Sequence, residues 1–183
     1  MEANLVEKLK PLIKSRSLKV SEEPVFRLSS GKLSRYYIDL KQITFEPEGI
    51  YLLGKLFYER LKELKPDGVG GLTLGADPIA YAVSFVSYLE GNPIKPFVVR
   101  KEAKSHGTGK QVEGNLKTGD RVVILEDVIT TGSSALKAVH ACKREGYEVI
   151  CVYSVVDREE GGRERLMEEG LEVYSLFKVQ ELL

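Results

Sequence analysis

The chain has 183 residues, of which 43% are hydrophobic and 30% charged, the composition of an ordinary folded domain. Its 27 basic and 27 acidic residues cancel, so a polyanionic ligand would need a local cluster of cations rather than an overall positive field. No apolar run approaches the roughly 18 residues of a membrane-spanning helix, and the start, MEANLVEKLK, lacks a signal-peptide core. The two cysteines, Cys142 and Cys151, have no CxxC spacing and are predicted to be core residues of a cytoplasmic protein.

The first 45 residues predict a helix followed by two strands. Apolar residues recur at helical spacing over 5–13, with a kink or break expected at Pro11. Residues 25–41 predict two strands joined by a Ser-Gly turn. This part does not share the rhythm of the remaining chain, and we expect a small separate lobe that covers a ligand crevice.

From residue 47 onward, apolar strand patterns alternate with helical ones. Predicted strands cover residues 69–74, 96–100, 122–125, 149–156 and 173–177, and predicted helices cover 47–64, 77–89, 135–145 and 162–169. The alternation predicts a parallel sheet with helices on both faces. Because ligands bind such sheets beyond the carboxyl ends of the strands, the loops after Leu74, Arg100 and Leu125 are expected to meet in one crevice.

The segment 122–134, VVILEDVITTGSS, is the most informative part of the chain. An aliphatic strand is predicted to stop at Glu126 and Asp127, and a Thr/Gly/Ser loop then leads into a helix. Backbone N–H groups at a helix start bind phosphate, and carboxylates accept hydrogen bonds from sugar hydroxyls or hold a hydrated metal. The layout indicates a site for a phosphorylated sugar. Each feature alone also fits a solvated acidic loop and a simple N-cap at Ser133 or Ser134.

Taken in this order, the segment resembles the 5-phosphoribosyl-1-pyrophosphate (PRPP) motif of type I phosphoribosyltransferases. The resemblance implies that Glu126 and Asp127 bind the ribose hydroxyls and that the following loop binds the 5-phosphate. The implied PRPP contacts in and after the strand are Glu126, Asp127, Val128, Ile129, Thr130, Thr131, Gly132, Ser133 and Ser134.

A second stretch, RKEAKSHGTGKQVEG at 100–114, concentrates positive charge in a loop on the same side of the sheet. A charged loop of this length is either a solvated surface segment or a functional lid. Its start resembles the catalytic loop of orotate phosphoribosyltransferases, which closes over pyrophosphate, commonly in the partner subunit of a homodimer. The resemblance implies pyrophosphate contacts from Arg100, Lys101, Lys104 and His106.

The N-terminal FRLSSGKLSRYYID resembles the segment that covers the base in the same family, and VVDREEGG resembles the strand end that carries an orotate-binding arginine. The implied orotate contacts are Tyr36, Tyr37, Thr130 and Arg158. A guanidinium suits a carboxylate because it pairs with it bidentately. The alternatives are that the two tyrosines simply alternate between a buried and an exposed face, and that Arg158 forms a surface pair with Asp157 or Glu159.

The chain departs from the family at three positions. Many members have lysine where this chain has Ser29 and Gly75, so two PRPP phosphate contacts are absent and neither residue is assigned a catalytic role. Glu126 replaces the usual aspartate, which keeps the charge and lengthens the side chain by one methylene.

The resemblance covers nearly the whole chain and implies a single α/β domain over 1–183, with a type I phosphoribosyltransferase-like parallel sheet in 46–183 and a small N-terminal hood in 1–45. It implies transfer of ribose 5-phosphate from PRPP to N1 of orotate, giving orotidine 5′-monophosphate and pyrophosphate, with Mg²⁺, in pyrimidine biosynthesis. Lys104, His106, Glu126 and Asp127 would be the catalytic residues. No metal ligand is assigned directly; Mg²⁺ would be held through PRPP, with Glu126 and Asp127 as candidate contacts. A phosphoribosyltransferase for another base, or a regulator that binds PRPP without turnover, remain alternatives.

Overall fold

The computed structural model describes residues 2–28, 31–102 and 110–183. Its helices are α1 (Glu2–Leu12), α2 (Lys41–Thr44), α3 (Pro47–Leu61), α4 (Asp77–Leu89), α5 (Ser133–Arg144) and α6 (Gly162–Glu168). Its strands are β1 (Leu18–Val20), β2 (Phe26–Arg27), β3 (Leu33–Ser34), β4 (Tyr36–Ile38), β5 (Gly68–Leu72), β6 (Lys95–Val99), β7 (Val112–Gly114), β8 (Arg121–Ile129), β9 (Glu148–Asp157) and β10 (Val173–Lys178). Single turns of other helix types cover Ile13–Ser17, Lys62–Leu64 and Val179–Glu181.

The main sheet has six strands in the order β10-β9-β8-β5-β6-β7. All neighbouring pairs are parallel except β6 and β7, and the helices that connect the strands cover both faces. The aliphatic run 122–125 lies at the centre of the sheet and is fully buried, as a strand covered on both faces requires. The predicted α/β class is confirmed.

The strand β8 is longer than its aliphatic run suggests. The parallel neighbour β9 pairs with it as far as Ile129 opposite Asp157, whereas β5 on the other side pairs only as far as Gly70 opposite Ile124. The predicted stop before Glu126 is therefore wrong, because pairing with β9 carries the strand through the two acids. The carboxyl-terminal half of β8 has a neighbour on one side and a crevice on the other.

In the described part of the predicted polar stretch 101–117, residues 112–114 form a strand that the pattern did not indicate. Residues of β7 pair antiparallel with β6, placing Val112 opposite Val99 at the edge of the sheet. The Val112 side chain is buried, with 5% of its surface exposed. A strand of three residues is too short for an alternating pattern to reveal.

The N-terminal part is not a separate lobe. On α1 and the turn after it, Leu9 and Ile13 are fully buried in the same core as Leu53 and Phe57 of α3. The two predicted strands of 25–41 are instead three short ones, because β2 pairs with β3 while β4 pairs with β1. Within the described residues, these small ladders line a cavity together with Thr131 and Glu160.

Across the described ranges, no helix is long and apolar enough to cross a membrane. Cys142 and Cys151 are both buried, as predicted, and burial raises the pKa of each thiol to about 12. Both thiols are therefore protonated at neutral pH and act as small core side chains.

Candidate functional site

The loop between β8 and α5 forms a polar cradle. Together with the end of β8 it lines a cavity of about 200 Å³, whose lining residues are 126–135. Among the residues that the structure describes, no acceptor is recorded for the backbone N–H groups of residues 131–134. These groups lie at the start of the 12-residue helix α5, where the helix dipole is positive. The cradle is therefore suited to an anion the size of a phosphate.

Two glycines allow the cradle to form. Gly132 has a φ of 75° in the left-handed region, which favours glycine. A Cβ atom on Gly132 would lie 2.8 Å from the carbonyl oxygen of Gly162, and one on Gly162 would lie 2.5 Å from that of Thr130. The loop and the start of α6 thus meet backbone to backbone, which fixes the direction of the loop.

The two acids of β8 lie in different environments. The Glu126 side chain is buried, and this burial, with the charge of Asp127 as a second cause, raises its pKa well above the ordinary value of 4.5. Asp127 is partly exposed, and its Oδ1 accepts a hydrogen bond from the N–H of Val128 at 2.8 Å. Asp127 is thus the more accessible carboxylate, whereas Glu126 loses its proton less readily than an exposed glutamate because it is buried.

The loop after β5 lies directly against Asp127. A Cβ atom on Gly75 would be 2.6 Å from Asp127 Cγ and 2.7 Å from each carboxylate oxygen. Any side chain at this position would require Asp127 to move. Gly75 thus fits closely against Asp127, whereas Ser29 lies outside the described residues.

A lysine that the sequence interpretation did not single out lies near the acids. Lys41 Nζ is 2.9 Å from Asp39 Oδ1, and this hydrogen bond raises the pKa of Lys41, with the charge of Asp127 acting in the same direction. The one signal in the sequence that could have indicated Lys41 is its position, only a few residues after the segment that resembles the base-covering segment.

On the other side of the cradle, the structure brings Tyr36 and Arg158 together. The Arg158 side chain is 4% exposed, and its Cζ lies 4.4 Å from the centre of the Tyr36 ring. Its Nε donates to Glu160 Oε1 at 2.9 Å, and its Nη2 donates to Ser34 Oγ at 3.4 Å. The surface-pair alternative for Arg158 is wrong, because the partner is Glu160 and the guanidinium is buried.

A cavity of about 430 Å³ opens beside this cluster and connects the N-terminal ladders with the cradle. Its lining residues are Leu28, Lys32, Leu33, Ser34, Tyr36, Thr131 and Glu160. Tyr37 points elsewhere: its ring stacks on Phe26 with the centroids 6.1 Å apart, and the side chain is 39% exposed. The two tyrosines alternate, as the alternative interpretation has it, and only Tyr36 lines this cavity.

The predicted lid residues lie partly within the described structure. Arg100 follows β6 and is exposed, with its Nη1 3.7 Å from Glu113 Oε1, and Lys101 next to it is also exposed. Lys104 and His106 lie outside the described residues.

An α/β sheet with an anion cradle and two carboxylates at the end of its central strand has the arrangement expected of a protein that binds a sugar phosphate. Residues 39–177 match the model of the phosphoribosyl transferase domain. The chain is 70% identical to the orotate phosphoribosyltransferase of Aquifex aeolicus over 97% of each chain.

Two solved structures extend this similarity to the fold. The Mycobacterium tuberculosis H37Rv orotate phosphoribosyltransferase in complex with Fe(III) dicitrate has a TM-score of 0.83 and 42% identity, covering 97% of this chain and 98% of that one. The structure of the same enzyme with PRPP has a TM-score of 0.74 and 37% identity, covering 100% of this chain and 91% of that one. The chain belongs to the phosphoribosyltransferase family and, within it, to the orotate phosphoribosyltransferases. The predicted family membership is confirmed.

Proposed function

We propose that the chain transfers ribose 5-phosphate from PRPP to N1 of orotate in pyrimidine biosynthesis. The C1–N1 bond of orotidine 5′-monophosphate forms as the bond from C1 to the pyrophosphate oxygen breaks. Pyrophosphate leaves with the electron pair, and orotate loses its N1 proton. The observation that carries this proposal is the anion cradle at 131–134, next to Asp127 and on the same edge of the sheet as the Arg158 cluster.

Different residues of the crevice would bind the sugar phosphate and the base. The 5-phosphate would accept hydrogen bonds from the free N–H groups of the cradle, and Asp127 would accept from the ribose hydroxyls, with Glu126 below it. On the base side, Arg158 would pair with the orotate carboxylate, and the Tyr36 ring would cover the Arg158 guanidinium. Thr130 would lie between the phosphate-binding and the orotate-binding residues. Because the sugar and the base are then held in one crevice, the reaction depends on positioning more than on a nucleophilic side chain.

Displacement at an anomeric carbon passes through a state with positive charge on the sugar ring and growing negative charge on the leaving group. The lid cations Arg100, Lys101 and Lys104, together with His106, would stabilise the departing pyrophosphate. Orotate needs no strong general base, because its ring nitrogen is already acidified by the neighbouring carbonyls. Closure of the lid would exclude water from the activated sugar.

The donor set suits a Mg²⁺ ion that is held mainly by the substrate. Within the described residues, no group of three or more histidine, cysteine or acidic side chains could hold a metal. The two carboxylates of Glu126 and Asp127 supply oxygen atoms, the ligand type that Mg²⁺ prefers, and PRPP would complete the coordination. When bound, the ion would neutralise charge on the pyrophosphate.

An exposed apolar face on α4 supports the proposal of a homodimer. Tyr81, Phe85 and Leu89 are spaced four residues apart and are 57%, 67% and 68% exposed, and the neighbouring Tyr88 is 72% exposed. Apolar patches of this kind are usually covered by a partner. The face begins about one turn into α4, the helix that follows the loop in contact with Asp127. We place the dimer in the cytoplasm.

The direct test is release of pyrophosphate from PRPP in the presence of orotate and Mg²⁺. We expect turnover with orotate, and none with adenine, hypoxanthine or uracil or when the metal is omitted. Turnover of another base in preference to orotate would replace the proposed substrate. Binding of PRPP without turnover of any base would instead indicate a regulator.

A shared lid predicts complementation between subunits. Lys104→Ala and Asp127→Ala proteins, each inactive alone, should regain activity when mixed and allowed to exchange subunits, because one hybrid site contains both intact groups. Activity that stays at the level of the separate variants after exchange would show that each lid serves its own subunit.

A further inference from the structure

Arg165 of α6 reaches the phosphate cradle from outside the lining residues. Its Nη1 donates to Ser133 Oγ at 2.9 Å and to the carbonyl oxygen of Thr131 at 3.4 Å. The helix that carries it is fixed against the loop by the contact of Gly162 with Gly132 and by the fully buried Leu166. The guanidinium is therefore presented to the cradle by a rigid element.

A phosphate bound in the cradle would lie near negative charge, and Arg165 places a positive charge beside it. Its lining residues, 126–135, include two acids and no lysine, arginine or histidine. A phosphate dianion placed there meets the carboxylate of Asp127, and its positive partners within the lining are only N–H dipoles. A guanidinium within hydrogen-bond distance of Ser133 is close enough to offset part of this repulsion.

Arg165 also sets the direction of a hydrogen bond. A guanidinium has only donors, so Ser133 Oγ accepts from it, and the hydroxyl hydrogen of Ser133 remains free to be donated elsewhere. Thr131 Oγ1 is 3.1 Å from Ser133 Oγ, so the two hydroxyls form one network. A phosphate oxygen can only accept, and the arrangement leaves Ser133 as a donor for it.

We propose that Arg165 is a positioning residue for the phosphomonoester end of the substrate and acts through Ser133. The inference rests on the proposed function, since it takes ribose 5-phosphate and its derivatives as the ligand. It adds a cation to a cradle whose own lining has none, and it places that cation at the opposite end of PRPP from the pyrophosphate.

The test separates the two ends of PRPP by direct binding, which needs no turnover. Binding of ribose 5-phosphate and of pyrophosphate is measured by calorimetry for the unmutated chain and for Arg165→Ala, Arg165→Lys and Ser133→Ala. Arg144→Ala is the matched control, because it removes an arginine at the far end of α5, roughly 16 Å from Ser133 along the helix. We expect Arg165→Ala to weaken ribose 5-phosphate binding about tenfold, as the loss of one charge-assisted hydrogen bond implies. Pyrophosphate binding should stay within about twofold, and Arg165→Lys should recover part of the loss because it keeps the charge.

The Ser133→Ala background tests whether Arg165 acts through Ser133. Removing Arg165 in that background should cost clearly less than in the unmutated chain, because the bond it makes is already lost. The proposal would be overturned by any of three results. Removing Arg165 could cost the same binding affinity in both backgrounds, it could weaken the binding of ribose 5-phosphate and of pyrophosphate equally, or it could change the binding of neither. If the unmutated chain binds ribose 5-phosphate but releases no pyrophosphate with orotate, the proposed function fails while the role of Arg165 is still decided.

Discussion

Glu160 holds the buried guanidinium of Arg158, accepting a hydrogen bond from its Nε at 2.9 Å while the Tyr36 ring covers it. The Tyr36 hydroxyl lies 3.4 Å from the same Glu160 oxygen, so all three side chains form one cluster. A buried guanidinium needs a negative partner, and here the chain provides its own carboxylate in the place where a carboxylated base is expected to bind. The pair of Arg158 and Glu160 is therefore neutral overall before the base arrives.

Glu160→Gln should make the chain less stable on its own and more dependent on orotate. Breaking a buried ion pair costs roughly 3 to 5 kcal/mol, and we expect about 1 to 3 kcal/mol here because Glu160 is 28% exposed. Orotate brings a carboxylate of its own, so it should raise the melting temperature more in the variant than in the unmutated chain. Thermal unfolding with and without orotate measures both effects, and PRPP alone is the control ligand. Equal stabilisation by orotate in both proteins would show that Glu160 and the base do not share Arg158.

Gly75→Ala should disable the site while leaving the fold intact. The added methyl group meets the carboxylate of Asp127 at 2.6 to 2.7 Å, so that side chain has to rotate away from its present position. We expect kcat/KM for PRPP to fall by about tenfold or more, since misplacing a substrate-positioning group has large effects. Steady-state kinetics measure the loss, and circular dichroism checks the fold.

The Asp127→Ala background provides the control for this steric argument. Without the carboxylate, the methyl group on residue 75 has space, so Gly75→Ala should lower the free energy of unfolding less there than in the unmutated chain. An equal cost in both backgrounds would mean that the glycine is required for some other contact.

The pattern of the sequence was sufficient to predict the parallel sheet and the meeting of the loop after β5 with the acids of β8. Alternating apolar segments from residue 47 onward depend on burial on both faces, and burial is encoded locally in residue type. The limits of β8 were not encoded in this way. Its last residues, 126–129, include two acids, and they are a strand only because β9 continues beside them.

Candidate site residues could be proposed from the sequence where a short motif carries them and not where a distant element supplies them. The cradle at 131–134 follows its strand directly, whereas Arg165 reaches it only through the folding of α6 against the loop, and Tyr36 meets Glu160 only through the folding of the N-terminal strands. The space beside Gly75 depends likewise on the direction of the Asp127 side chain. Such relationships depend on three-dimensional contacts between segments that no local pattern connects.

Glu126 should make the stability of the free chain fall as the pH rises. Its pKa is raised in the folded state, chiefly by burial, above an ordinary value of 4.5, so the folded chain keeps a proton that the unfolded chain releases. Below pH 4.5 both states are protonated, and the free energy of unfolding then decreases from that pH up through the raised pKa.

Glu126→Gln removes this ionisation while keeping the shape of the protonated acid. We expect the variant and the unmutated chain to have similar stability near pH 4, and the variant to become progressively more stable in comparison as the pH increases to 8. Urea unfolding across this pH range measures the difference. Two parallel stability curves would mean that Glu126 ionises in the folded chain as easily as in the unfolded one.

Gly132→Ala should damage both stability and phosphate binding, and Gly170→Ala separates the two causes. Both glycines have left-handed backbones, with φ of 75° and 77°, but only a methyl group at Gly132 has a neighbour, the carbonyl oxygen of Gly162 at 2.8 Å. A left-handed alanine costs roughly 1 to 2 kcal/mol, which should be the whole effect at Gly170. At Gly132 the loop must also move away from α6, so the loss of stability should be larger and ribose 5-phosphate binding should fall by at least about tenfold, as expected for a displaced cradle. Chemical unfolding measures the stability, and calorimetry measures ribose 5-phosphate binding. If both variants lose the same stability and both still bind, the contact between Gly132 and Gly162 does not shape the cradle.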